Sequence, residues 1–462
     1  MKKSYLMIAA AVAMFTACQD TDTFREINAQ QENNAISFTT FTSKQTRADN
    51  SNASVTKDLK DYNKTFRLWG NKYIKNGENT FAPTPVFGFK GEGTTASPYE
   101  YPGEKVEYKE TVVDALIGNW DYTPVRFWDK TASYYDFYAA SPFTPKSAKF
   151  ENNAWTTEDL TWDIDNDANP KTLSLANFRV SGTNMASDPT NTEIKADKVM
   201  ATVDTEDLMI ATDIKDYKDY TYSASPNTQG VQLVFNHILS RLNIGIRKSD
   251  DLANYTVMLK SIEIYNMKSI GSFDEATSLT EAELKAGTQA RWTKATGNDD
   301  KFTPGNMQFK PATAQEITQK ATDGKYQYVY EGLVMPQTVG YAKTVMPNED
   351  LTNVTTYLRI DGYNAVSSGE GTWSDPYIVI DYEIGKTESE VYTKIDGYKY
   401  YFNLADVFNG TAITPVDFCE GWQNTLNITL APAAIKFNPV VYNWDEKYPT
   451  GDATLDGEFT VQ

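Results

Sequence analysis

The strongest constraint on this chain is its punctuation. From about Phe66 to Leu430 it is built of short runs rich in aromatic and β-branched residues, cut apart by clusters of Gly, Pro, Asn, Asp and Ser. Runs of about four to eight residues are too short for a helix of ordinary length and suit strands that must find partners across a sheet. Phe66-Arg67-Leu68-Trp69-Gly70, Pro85-Val86-Phe87-Gly88-Phe89, residues 112–117 and Tyr134-Tyr135-Asp136-Phe137-Tyr138-Ala139-Ala140-Ser141-Pro142 are strand candidates in the first half, the last ended by its Pro. Val231-Gln232-Leu233-Val234-Phe235-Asn236-His237 opens a second series: residues 244–247, 257–259, 262–265, 326–334, 357–360, 377–382, 398–402 and 426–430. Residues 280–287 are expected to form a short helix, with Thr280 and Glu283 as a capping box and Gly287 as its stop, and residues 403–410 another. No helix pattern alternates with the strands, so a parallel βαβ architecture is disfavoured and an all-β sandwich expected.

Length divides this material. The chain has 462 residues, which suggests two or three domains. Residues 217–230, polar with a Pro and a terminal Gly, form the best boundary, between domains expected at 48–225 and 226–444. A formal net charge of -19 repels phosphate backbones, so nucleic acid is not an expected partner. One His and two Cys leave no residues for a His-based zinc cluster or a thiolate cage, and no cofactor is expected.

The first residues give an address. Lys2 and Lys3 precede an apolar stretch from Leu6 to Phe15 that is too short to span a bilayer. Phe15-Thr16-Ala17-Cys18 then resembles a bacterial lipobox, which implies a signal peptide over 1–17 and lipidation of Cys18. Several acyl chains on one residue would hold a membrane firmly, and that anchor is the expected membrane contact. Gln19, Asp20 and Asp22 resemble the acidic export patch of surface lipoproteins of Bacteroidales, so an outer-membrane, surface-exposed location is expected. With Cys18 lipidated, the sequence holds no second thiol for a disulfide with Cys419, which reads as a small core residue.

Catalytic and metal-binding patterns are thin. The phosphate-loop, dinucleotide, nucleophile-elbow and HExxH motifs are missing from the sequence. His237 shares strand parity with Val231, Leu233 and Phe235 and is expected to point into the core. Asp163, Asp165 and Asp167 imitate the start of a calcium loop, but Ala168 and Ser174 stand where such a loop needs Gly and Glu. Enzyme activity is therefore not expected. A surface glycan-binding lipoprotein is the alternative, with exposed aromatic residues such as Trp155 or Trp162 stacking on sugar rings.

Four segments, in order, resemble the fimbrillin family, the pilin subunits of type V pili of Bacteroidales. They are Trp120-x-Tyr122 with Trp128 and Phe137-Tyr138-Ala139-Ala140-Ser141-Pro142; Asp207-Leu208-Met209-Ile210-Ala211 with the strand from Val231 to Leu242; Gly332-Leu333-Val334-Met335-Pro336-Gln337; and Gly421-Trp422 with Leu426-x-Ile428-Thr429-Leu430, Phe437 and Val440-Val441-Tyr442-Asn443-Trp444. Ala140 departs from the family pattern, which has Tyr there. The resemblance implies two tandem transthyretin-like β-sandwich domains in a fimbrial subunit that supports adhesion. It also implies that an Arg-specific surface protease removes a leader with the first strand, and that a C-terminal strand of another subunit fills the groove. Other fimbrial subunits, that protease and a host or bacterial surface receptor are the implied partners.

Matching parts can be found. Ile36 and Phe38 alternate with polar residues and form a candidate removable strand within an 18–47 leader. Gln45-Thr46-Arg47-Ala48 offers a cleavage site between Arg47 and Ala48; cutting at the competing Arg25 would leave that strand attached. At the other end, Leu455, Phe459 and Val461 share one parity, as do Val440, Tyr442 and Trp444 upstream. The donor strand is expected in this region, with 445–462 as an arm, although the same alternation suits a last strand folded onto its own domain. Arg47 and the alternating tail favour a stalk subunit over a tip or an anchor.

Overall fold

The computed structural model describes residues 35–42, 58–77, 80–88, 102–114, 116–151, 154–165, 171–180, 206–218, 230–265, 270–275, 291–293, 307–309, 314–339, 377–404, 416–432, 435–443 and 459–461. Cys18, Arg25, Arg47, Ala48, Asp167, Trp444 and Leu455, the 280–287 helix and the 357–360 strand lie outside them. The fold is all-β, with its sheets in a sandwich-like arrangement. Among the described residues the complete helical elements are three short 3-10 turns, at Leu59–Asp61, Asp250–Leu252 and Ala321–Asp323; of the expected 403–410 helix, Asn403 ends a strand, Leu404 is helical and 405–410 lie outside the described residues.

Two compact units are present, each assembled from separate chain segments. The first comprises Met1–Phe41, Lys64–Ala139 and Ala211–Val234, and the second Thr42–Asn63, Ala140–Ile210 and Phe235–Gln462. This partition is drawn differently from the sequence-based 48–225 and 226–444. Within residues 140–210 the strand Thr172–Arg179 pairs with Ile270–Asp274, later in the chain.

The first unit has an aromatic core. Its longest described strand, Thr65–Lys75, pairs antiparallel with Phe81–Phe87 through its second half and with Glu104–Tyr108 through its first. Phe66, Leu68, Phe87, Val106, Tyr135 and Phe137 are fully buried. Gly70 lies opposite Phe87 and leaves room for the rings of Phe87 and Phe137, either of which a Cβ would meet at 3.1 Å. The outer strand Phe81–Phe87 carries Pro83 and Pro85, which withhold two donors from its ladder and suit an edge position. The described residues of 112–117 do not form the expected strand. Val112 and Val113 are neighbours and both exposed, and Asp114 closes a turn by accepting from Leu116 N–H with its side chain and from Ile117 and Gly118 N–H with its carbonyl.

The second unit is built around two five-stranded sheets. One has the order Gln327–Val334, Ser240–Lys248, Trp422–Leu430, Ile435–Asn443, Phe459–Val461. The other runs Met307–Phe309, Thr256–Tyr265, Tyr377–Glu388, Val391–Asn403, with Gln315–Glu316 also on Thr256–Tyr265. Leu242, Ile244, Ile246, Leu426 and Ile428 from the first pack in one core with Val257, Leu259, Ile262, Ile378 and Ile380 from the second. The expected strands at 257–259 and 262–265 are one strand, in which a register shift between Leu259 and Ser261 lets both apolar pairs face inward despite opposite parity. Trp422–Leu430 is buried at every position and lies parallel to Ser240–Lys248. Its polar parity is tied across that pair, with Asn243 Nδ2 donating to Thr425 Oγ1 at 3.4 Å and Arg247 Nε to Thr429 Oγ1 at 2.9 Å.

Candidate strand-binding groove

Alternation of small polar and apolar residues in Ile36-Ser37-Phe38-Thr39-Thr40 makes one face of this segment suitable for burial. The structure uses that face. Ile36 is fully buried, Phe38 is 4% exposed, and Thr40 and Thr42 follow on the same side of the strand Phe38–Thr42. Within the first unit the Phe38 ring stands edge-on to four others: Phe87 at 5.6 Å between centroids, Tyr122 at 5.9 Å, Phe137 at 6.0 Å and Phe66 at 6.3 Å. Edge-to-face contacts of this kind add about 0.5–1.5 kcal/mol each to the burial itself. Phe41, on the opposite parity, is half-buried.

The backbone of the segment is held as well. Ala35 bridges Phe127 in antiparallel sense, Ile36 N–H donates to Arg126 C=O at 2.9 Å, and Val231 N–H donates to Ser37 C=O at 2.7 Å. Thr39 Oγ1 donates to Gly230 C=O at 3.4 Å. Gly230 is required by this approach, since a Cβ there would lie 2.4 Å from the Ser37 carbonyl oxygen.

The tail is seated differently. Phe459–Val461 pairs antiparallel with the start of Ile435–Asn443, in the register Phe437↔Phe459, Lys436↔Thr460 and Ile435↔Val461. The strand it joins, which carries Val440 and Tyr442, is itself matched over nine positions to Trp422–Leu430. Pro439 lies in that strand opposite Leu426. A proline nitrogen has nothing to give a ladder and is tolerated where it faces the open side, so Pro439 interrupts the outer edge just beyond the last residue paired to the tail.

Other singled-out residues have structural places. His237 is 2% exposed in the second unit, with Nδ1 2.6 Å from an Asp207 carboxylate oxygen and the Tyr62 ring edge-on at 4.9 Å. Cys419 is buried. Asp163 and Asp165 are exposed on one face of the strand Asp163–Asp165 with Ile164 on the other, and no cluster able to hold a metal occurs among the described residues. Trp162 is 1% exposed and donates from Nε1 to Pro142 C=O at 2.9 Å, which removes it from any surface that could stack on a sugar. Trp155 lies in the strand Ala154–Asp159.

Sequence reasoning missed Tyr122 as a contact to the first strand: its hydroxyl donates to Ile36 C=O at 2.5 Å, from 86 residues away. The Trp120-x-Tyr122 motif was the available signal, without an indication of what it touches.

No family model matches this chain, and no curated protein does. Among solved structures, it is similar to a candidate cell adhesion protein from Bacteroides uniformis at 15% identity, over 89% of this chain and 98% of that one, with a TM-score of 0.36. A candidate cell adhesion protein from Bacteroides ovatus aligns at 10% identity over 90% and 98%, with a TM-score of 0.35. The tip fimbrial protein Mfa3 from Porphyromonas gingivalis, with a C-terminal truncation, aligns at 9% identity over 83% and 95%, with a TM-score of 0.30.

Proposed function

We propose that this chain is a non-enzymatic structural subunit of a cell-surface fimbria that supports adhesion. It is exported as a lipoprotein through Cys18 and cut between Arg47 and Ala48 by an Arg-specific protease. It then polymerises by strand exchange with other fimbrial subunits, as a stalk component. The observation that carries the reading is the seating of Ile36 and Phe38. A strand near the start of the chain fills an aromatic pocket, and a polar, Arg-containing stretch follows it.

A cut at Arg47 would leave the strand bound by contacts alone. Its loss would expose apolar surface and unpaired backbone, which a strand from another copy can cover: main-chain hydrogen bonds give strength and alternate side chains give register. Val440 and Tyr442 belong to a nine-residue ladder in their own sheet, which favours the tail with Leu455, Phe459 and Val461 as the segment that would be donated. Such a head-to-tail contact does not close on itself and grows a filament.

The test is treatment of purified protein with an Arg-specific protease, followed by electrophoresis without boiling and by electron microscopy. Cleavage after Arg47 with SDS-resistant ladders and filaments is expected. Clean cleavage at Arg47 with a protein that stays monomeric overturns the stalk reading.

A further inference from the structure

Most contacts that hold the first strand are made by its own side chains or by backbone groups around it. Tyr122 differs, because here a side chain of the groove touches the strand's main chain. Its hydroxyl donates to Ile36 C=O at 2.5 Å and accepts from Arg126 N–H at 3.4 Å. The residue that positions this hydroxyl therefore also supplies the carbonyl that takes Ile36 N–H at 2.9 Å. Together, Tyr122 and Arg126 engage both polar groups of one residue of the strand.

Burial strongly raises the pKa of the Tyr122 phenol, so it stays protonated and able to donate across the physiological range. Its ring is one of the four around Phe38, so the hydroxyl is aimed by packing and not by a flexible stem. Tyr122 is 2% exposed and Ile36 is fully buried, so the carbonyl would lose this hydrogen bond where desolvation makes the loss costly.

We propose that Tyr122 is the latch of the groove: a positioning residue that holds a strand by its carbonyl at the place of Ile36, whatever side chains the strand carries. Every peptide has that carbonyl, so the latch serves the resident strand and a replacement alike. Discrimination is left to the pockets of Ile36 and Phe38, which fit an extended peptide with an aliphatic residue at the latched position and an aromatic one two places on. The part concerning a replacement strand rests on the strand-exchange reading; the part concerning the resident strand does not.

The full chain carrying Tyr122→Phe should be compared with the parent by hydrogen–deuterium exchange and mass spectrometry. Loss of the hydroxyl is expected to speed exchange of the amides at 36–42 about tenfold, with no change in Thr256–Tyr265 of the second unit. Unchanged exchange at 36–42 in the folded variant overturns the latch. So does an equal acceleration throughout Thr65–Lys75 and Tyr134–Ser141, which would make Tyr122 a packing residue and nothing more. If the variant does not fold, 3-fluorotyrosine at position 122 gives the reverse reading. Its more acidic phenol is a better donor and should slow exchange at 36–42, and no slowing overturns the proposal. Protease-triggered ladder formation is scored on the same Tyr122→Phe sample. Fewer ladders together with faster exchange supports a latch for both strands. Faster exchange in the variant, when the parent itself never polymerises after cleavage, supports the latch on the resident strand and sinks strand exchange.

Discussion

The first and last described strands are held in opposite ways. Phe38–Thr42 buries alternate residues, puts one ring among four others, and has neighbouring backbone tied to Arg126, Val231 and Tyr122. Phe459–Val461 has a three-position ladder on the outer side of a five-stranded sheet, next to an edge interrupted by Pro439. Removing the first strand costs the burial of an aromatic and an aliphatic side chain, about 1.5–3 kcal/mol each, before any hydrogen bond is counted. The three-position ladder of the last contributes a few main-chain hydrogen bonds, at a net of about 0.5–1.5 kcal/mol each. Strand exchange needs this asymmetry. In the proposed exchange the plug would stay until a protease cuts it loose, and the arm would leave its own unit.

The largest expected effect tests the tight end. Phe38→Ala should destabilise the first unit by about 3–5 kcal/mol, the range for emptying a buried aromatic site. It should also make residues 35–42 protease-sensitive while Thr256–Tyr265 stays protected. Urea unfolding followed by tryptophan fluorescence measures the first effect and limited proteolysis the second. A loss below about 1 kcal/mol would remove the contrast, because Phe38 would then be no more costly to lift than the tail.

The loose end has the next effect. Deleting residues 455–462 should lower the stability of the second unit by no more than about 2–3 kcal/mol, from the few hydrogen bonds of a three-position ladder. Cooperative unfolding of its core should survive. If the deletion abolishes folding, the tail is an integral strand and cannot act as an arm. If it costs almost nothing in the monomer yet prevents ladder formation, the contrast is sharpened.

Where periodicity is unbroken, these features could be read from the sequence. Ile36 and Phe38 alternate with polar residues, and both are inside; Val231, Leu233, Phe235 and His237 do the same in their strand. Reading fails where the backbone shifts phase. Thr256–Tyr265 looks like two strands because its apolar parity changes at the bulge. Thr172–Arg179 does not read as a strand in the sequence because Leu173 and Leu175 stand on one parity and Phe178 on the other. The break coincides with Asn177, whose φ is 55°. Residues 112–117 mislead in the opposite sense, since without alternation Val112 and Val113 stand exposed and Ile117 is buried from a turn, not from a strand. Long-range polar contacts were not legible at all, because nothing local in Tyr122 or Gly230 names Ile36 or Ser37 as a partner.

The smallest effect concerns pH and the unit that holds the first strand. Burial pushes the Asp213 carboxyl up against the pull of Lys215, 2.9 Å away, and the charge of Asp136 adds to the push. Burial likewise raises Asp136, against hydrogen bonds from Asp216 N–H and Tyr73. A carboxyl raised in the folded state contributes stability when protonated, and that contribution is lost as pH rises through its folded value. At Asp129 burial also pushes upward, but Thr131 and Lys72 outweigh it and the net direction is down. Its contribution is therefore lost as pH falls through a value below the ordinary 3.8. The two windows do not overlap: as pH falls from neutral, the first unit should gain stability while Asp213 and Asp136 take up protons above the ordinary 3.8, and lose it only in stronger acid, below that value. Asp213→Asn removes one titrating group and one repelling charge. It should stabilise the first unit by about 0.5 kcal/mol at pH 7, with the gain shrinking as pH falls and Asp213 of the parent becomes protonated. Urea midpoints at pH 7, 5 and 3.5 measure this. A variant less stable than the parent at pH 7 would mean that the ion pair with Lys215 outweighs burial, and the gain on mild acidification should then vanish with it.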